Sequence, residues 1–223
     1  MTVKALTAPK LLVLDLDETL MHVRAEPLSR GPDFQIGPYF GYKRPHVEEF
    51  LRFCFSQFRV GVWSSASPLY VLDAVHYLMT PQQQRALEFT WASDKCQSKL
   101  DWDGNQFWCK PLKKLLRRGY RRAEIIAVDD SPEKWGMSYG NLVRVRAWEG
   151  DLDDDQLQRL PAFLSHLSAV PNVRTVEKRR WPQFAGRAEL ELAGGNCGKA
   201  IGQVKAIGQV IDQDGVQGGS LRA

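Results

Sequence analysis

Apolar and polar positions along the chain fall into short unbroken runs separated by helical patterns. Residues 11–14 read LLVL and only Asp15 interrupts before Leu16, which suits a strand buried on both faces of a parallel sheet. Residues 58–63 (FRVGVW) and 124–130 (EIIAVDD) read the same way, residues 88–92 (EFTWA) predict a shorter strand, and residues 142–148 (LVRVRAW) alternate as an edge strand does. After Pro45, which suits a first helical position, Val47, Phe50, Leu51, Cys54 and Phe55 recur at helical spacing. Ser67 and Pro68 open a second helix through LYVLDAVHYLM, closing near Thr80 and Pro81. A short helix is predicted over residues 110–118 and an amphipathic one with an acidic first turn over 153–167. Strands alternating with helices predict an α/β domain with a central parallel sheet. The Pro- and Gly-rich residues 23–42 predict turns and a small hairpin inserted after the first strand.

Composition narrows this picture. A chain of 223 residues that is 43% hydrophobic and 25% charged has length for one sizeable core. From residue 182 glycine becomes frequent and KAIGQV occurs twice in succession, at 199–204 and 205–210; this divides the chain into a folded domain, 1–181, and a tail expected to be disordered, 182–223. The net charge of +4 is mild, and with no recognised binding motif beside the basic runs, no direct nucleic-acid binding is expected. Four cysteines without a C-x-x-C pair predict reduced thiols in a cytoplasmic compartment, or a nuclear one in a eukaryote. The first apolar run carries Asp15 and Asp17, so neither a signal peptide nor membrane insertion is expected, and a monomer is the expected state.

Candidate chemistry lies where the strands end. Residues i and i+2 of an extended segment point the same way, so Asp15 and Asp17 bring two like charges together, a repulsion that a metal ion or a cationic group relieves. Open parallel sheets bind ligands at the carboxyl ends of their strands. There the second strand contributes Ser64 and Ser65 and the third Asp129 and Asp130. With Lys110, the set suits phosphoryl transfer: a nucleophilic carboxylate, an acid, phosphate-gripping donors and a metal site. Taken singly, Asp15 and Asp17 also fit a solvated strand end.

The segments DLDETLMH, YKRPHVEEFL, VWSSAS and VDDSP together resemble the motifs of haloacid dehalogenase-type phosphatases, specifically the branch of RNA polymerase C-terminal-domain and NLI-interacting-factor-like phosphatases, from about residue 11 to 174. The resemblance implies a Rossmann-like fold and magnesium-dependent hydrolysis of phosphoserine or phosphothreonine in a protein or peptide through an aspartyl-phosphate. It assigns Asp15 as nucleophile, Asp17 as general acid and base, and Lys110 as the charge-neutralising amine. Ser64, Ser65 and Thr19 would bind substrate, with Thr19 also locking the turn. The metal ligands would come from Asp15, Asp17, Asp129 and Asp130. Ser64 stands where relatives more often carry Thr.

The 46 residues between Asp17 and Ser64 leave room for a hairpin but not a large cap domain, and an uncapped site admits a side chain of a macromolecule. Phe34, Ile36, Tyr39, Phe40 and Tyr42 could wall such a site or simply pack the hairpin onto the sheet. Two other functions fit the same residues: hydrolysis of a small phosphate monoester, and phosphopeptide binding without catalysis.

Overall fold

The computed structural model describes residues 8–100 and 103–184. The chain runs β1 (Leu11–Leu14), β2 (Met21–Arg24), β3 (Phe34–Ile36), β4 (Tyr39–Lys43), α1 (Val47–Gln57), β5 (Arg59–Trp63), α2 (Pro68–Leu78), α3 (Pro81–Ala86) and β6 (Thr90–Trp91). It continues through β7 (Gln97–Leu100), β8 (Gln106–Cys109), α4 (Lys113–Leu116), β9 (Ile125–Asp129), a 3-10 segment (Pro132–Asn141), β10 (Leu142–Arg144) and α5 (Gln156–Ala169).

The central sheet has five strands in the order β10-β9-β1-β5-β6, every pair parallel. The apolar runs explain it: side chains alternate across a strand, and both faces of β1 are buried. Leu12 and Leu14 join Val60, Val62, Ile126 and Val128 in a core shared with α1, α2 and α5. Leu11 and Val13 face the other way, against Trp63, Ile125, Ala127, Leu115 and Trp135. Gly61 keeps β5 in line, because a Cβ there would lie 2.4 Å from the Phe89 ring. The parallel α/β expectation is met, and β1 sits in the middle of the sheet, so its carboxyl end opens between β9 and β5.

The insertion after β1 is more than a hairpin. The β3–β4 hairpin turns at Gly37, which has a positive φ of 56°, and β2 pairs with β4 to make a three-stranded antiparallel sheet. Phe34, Ile36 and Tyr42 are buried, and Phe34 stacks on Tyr77 of α2 with ring centroids 5.0 Å apart. Packing therefore uses these three, and Tyr39 remains exposed. Trp91, Trp135 and Trp148 are core residues, whereas Trp108 is exposed.

Other boundaries shift for local reasons. Helix α1 begins at Val47, after Pro45 and a left-handed His46 (φ 63°). The predicted helix over 110–118 shrinks to α4, leaving Lys110 directly after β8. The β7–β8 hairpin was not expected, since QSKL is exposed throughout and shows no apolar run. Cys54, Cys96 and Cys109 are free and buried, while Cys197 lies outside the described residues. So does the predicted tail apart from residues 182–184, where Phe184 packs on Phe163 of α5 at 5.4 Å. Among the described residues no helix is long and apolar enough to cross a membrane.

Candidate active site

At the carboxyl end of β1 the backbone stays in register for one more residue, Asp15 N–H donating to Val128 O at 3.0 Å, and then turns sharply. Thr19, Leu20 and Met21 N–H all donate to Leu16 O, and Glu18 takes a left-handed φ of 55°. A non-glycine residue held there carries strain of about 1 kcal/mol. Three contacts hold it: Glu18 N–H bonds Met21 O, Trp148 N–H bonds Glu18 O, and the Arg44 guanidinium reaches Glu18 O and Thr19 O. Arg44 is itself fixed by a bidentate pair with Asp154, both bonds 2.8 Å, with neither side chain exposed. This turn sends Asp15 and Asp17 to different partners.

Asp15 is buried and bound by lysine. Lys110 Nζ donates to Asp15 Oδ1 at 2.6 Å and to Asp129 Oδ2 at 2.5 Å, and Lys134 Nζ stands 3.5 Å from Asp15 Oδ2. Burial disfavours the Lys110 ammonium, yet Asp129 and Asp15 hold its pKa above the usual lysine value. Lys134 behaves alike: burial works against its charge, and Asp15, Asp129 and Asp130 raise it. The repulsion expected between the opening carboxylates is thus relieved at Asp15 by two cationic side chains.

Asp17 meets hydroxyls instead. Tyr70 OH, from the first turn of α2, donates a short bond to Asp17 Oδ1, and Ser64 Oγ donates to Oδ2 at 3.4 Å. Burial and the neighbouring Asp15 raise the Asp17 pKa, with Tyr70, Lys134 and Ser64 opposing. Burial likewise pushes Glu18 up to about 7, helped by Asp17, Asp130 and Asp15. Glu18 is half-buried and bonded to His22 at 3.2 Å.

Strands β5 and β9 complete the cleft. Ser64 follows β5, its Oγ accepting from Ala66 N–H at 3.0 Å, and Ser65 beside it is half-buried. After β9, Asp129 is clamped by Lys110, by Trp135 Nε1 at 2.9 Å and by Ser131 N–H at 2.9 Å. Asp130 accepts from Ser131 Oγ at 2.9 Å, and its backbone N–H donates to Thr19 Oγ1 at 3.2 Å. Thr19 therefore locks the turn, but against the β9 end and not within its own loop.

Asp15, Asp129 and Asp130 each offer an oxygen within 4.8 Å of the others. Three hard carboxylates can hold a cation, and hard oxygen donors suit magnesium; the Lys134 ammonium, 3.5–3.9 Å from all of them, already offsets part of their charge. The Asp17 carboxylate stands outside that group, turned toward Tyr70 and Ser64.

The structure brings together Asp15, Asp17, Thr19, Ser64, Lys110, Asp129 and Asp130, all read from the sequence. It adds Lys134, Tyr70, Ser131, Trp135 and Arg44. Lys134 had a signal, sitting four residues after Asp130, and Tyr70 had one in opening the helix that follows Ser64. Arg44 lies in the YKRPHVEEFL segment, but its role was not readable there, since its partner Asp154 lies 110 residues away.

Comparison with known proteins agrees with this geometry. The profile of the NLI interacting factor-like phosphatases matches residues 10–174. Similar curated relatives include CTD small phosphatase-like protein 2 of Dictyostelium discoideum, 30% identical with 75% of this chain and 29% of that protein covered. A probable C-terminal domain small phosphatase of the same organism is 31% identical (75% and 53% covered). The human CTD small phosphatase-like protein is 29% identical (76% and 60% covered). The chain thus spans between 29% and 60% of the length of these relatives. With a profile match running from the strand before Asp15 to the residues packed beyond α5, the chain belongs to the NLI interacting factor-like phosphatase family.

Proposed function

We propose that the chain is a magnesium-dependent phosphatase that removes phosphate from phosphoserine or phosphothreonine in proteins. The observation that carries this reading is the division between two carboxylates only two residues apart. Asp15 is kept beside two ammonium groups, and Asp17 is raised and held by hydroxyls. Environments that push paired acids apart assign a nucleophile and a proton carrier.

In the first step an Asp15 oxygen attacks phosphorus, the bond from phosphorus to the serine oxygen breaks, and Asp17 gives its proton to the departing alkoxide. In the second, Asp17 takes a proton from water as that water attacks the aspartyl-phosphate, releasing phosphate and restoring Asp15. Lys110 and Lys134 oppose the negative charge of the phosphoryl oxygens, and Ser64 can donate to one of them. Magnesium held by Asp15, Asp129 and Asp130 would supply further positive charge against the phosphoryl group. The turn fastened by Arg44 precedes the second sheet and leaves the Asp17 carboxyl bonded to Tyr70 and Ser64, where it can serve as the proton carrier.

A protein substrate is favoured by the small insertion, which leaves the strand ends uncapped, and by the names of the relatives. The test is turnover of a phosphopeptide panel and a phosphometabolite panel, each with magnesium and with excess chelator. Phosphopeptide hydrolysis that needs magnesium is expected. Full activity in chelator would remove the metal from the account, and turnover of metabolites alone would replace the substrate class.

A further inference from the structure

Beyond the site just described, a groove of about 480 Å³ runs along the outer edge of β10, and no carboxylate lines it. Arg144, Arg146, Lys178 and Arg179 are among the residues that line it. Two of these cations have acidic partners: Arg146 stands 3.8 Å from Asp151 and 3.6 Å from Asp154, the latter already held by Arg44, and Arg179 pairs with Glu177 at 2.6 Å. The other two have no ion pair among the described residues. Arg144 Nε donates to the backbone oxygen of Asp130 at 3.2 Å, and Lys178, 7% exposed, donates only to the carbonyls of Val173 and Val176. Burial, with Arg174 nearby, pushes the Lys178 amine down to about 8, against the pull of Glu177, so it is still charged at neutral pH.

Two uncompensated cations match one dianion. A phosphorylated side chain carries about −1.5 to −2 at neutral pH, and the planar fork of Arg144 suits phosphate. The Trp181 indole donates to Arg144 O at 2.6 Å, which closes the strand edge to an added strand and leaves recognition to side chains. From these observations we infer that the groove is a second phosphate subsite, which takes another phosphoserine or phosphothreonine of a multiply phosphorylated substrate. This rests on the protein-phosphatase reading.

The register sets the spacing. Arg144 pairs with Asp129 in the sheet, and Leu14 pairs with Val128, which puts Asp15 level with Asp129 and hence with Arg144 two strands away. Neighbouring strands are about 4.8 Å apart, so the nucleophile and the Arg144 backbone are separated by roughly 10 Å. An extended peptide covers that with about three residues. The second phosphate belongs two to four residues from the one removed.

The test uses peptides bearing one phosphoserine, with phosphoserine, aspartate or serine placed one to six residues to either side. A second phosphoserine at the matching spacing should raise kcat/KM roughly tenfold, the scale of one charge-assisted contact, and Arg144→Gln should abolish most of that ratio. No gain at any spacing, or a gain undiminished in Arg144→Gln, overturns the subsite, and an equal gain from aspartate overturns the dianion as its ligand. If no phosphopeptide is hydrolysed, the proposed function fails and the subsite is judged by binding alone. Fluorescence anisotropy with the Asp15→Asn protein should then still show tighter binding of the doubly phosphorylated peptide, and equal affinities would overturn it.

Discussion

Asp15 and Asp17 differ by what surrounds each carboxylate, and their variants should differ accordingly. Asp17→Asn keeps the nucleophile and removes the proton carrier, so its cost depends on the leaving group. A serine alkoxide needs a proton as its bond breaks, and hydrolysis of a phosphoserine peptide should fall by roughly 10²–10⁴-fold. Nitrophenolate leaves without one, so the burst of nitrophenol from p-nitrophenyl phosphate should survive far better than peptide turnover. Rapid-quench rates on both substrates decide this, and equal losses on the two would remove Asp17 from the acid role. These residues were legible because each lies within a residue or three of a buried strand, as Ser64 does after Trp63 and Asp130 after Asp129. Tyr70 and Lys134 left fainter signals, one opening the helix after Ser64 and the other four residues past Asp130, and they reach the carboxylates across 53 and 119 residues of chain.

Among the elements, the turn after β1 depends on a part of the chain far from it. Arg44, just past β4, and Asp154, just before α5, are both fully buried and bind each other while Arg44 also holds Thr19 O and Arg146 O. Removing one partner strands the other charge in the interior. Arg44→Met alone should lower unfolding stability by about 3–5 kcal/mol, and joining it with Asp154→Leu should recover a large part of the loss. Urea titrations of the two variants measure this, and an Arg44→Met protein as stable as the parent would contradict the role given to the pair. The segment YKRPHVEEFL contains Arg44, but nothing in it forecast the pairing with Asp154. The buried runs of β1, β5 and β9 were plain for the opposite reason, since a strand covered on both faces writes its burial into consecutive residues. Strand β7, exposed on both sides, writes nothing comparable, and the 3-10 segment that supplies Lys134 and Trp135 has no helical period.

For the whole molecule, the sheet order could not be read from the runs alone, because it follows from how the crossovers pack. That order places β1 between β9 and β5 and so turns scattered strand ends into a single site. It also sets Arg144 two strands from Asp15. The sequence motifs named the family but not this geometry, which underlies both the phosphatase reading and the second phosphate subsite. The phosphatase reading rests on phosphate passing through Asp15. The most direct check is to incubate the Asp17→Asn protein with p-nitrophenyl phosphate and magnesium, quench in acid, and map phosphorylated peptides by mass spectrometry. The account predicts phosphate on Asp15, and none when Asp15→Asn is added. Nitrophenol release with no phosphorylated peptide, or with the phosphate on any other residue, would contradict it.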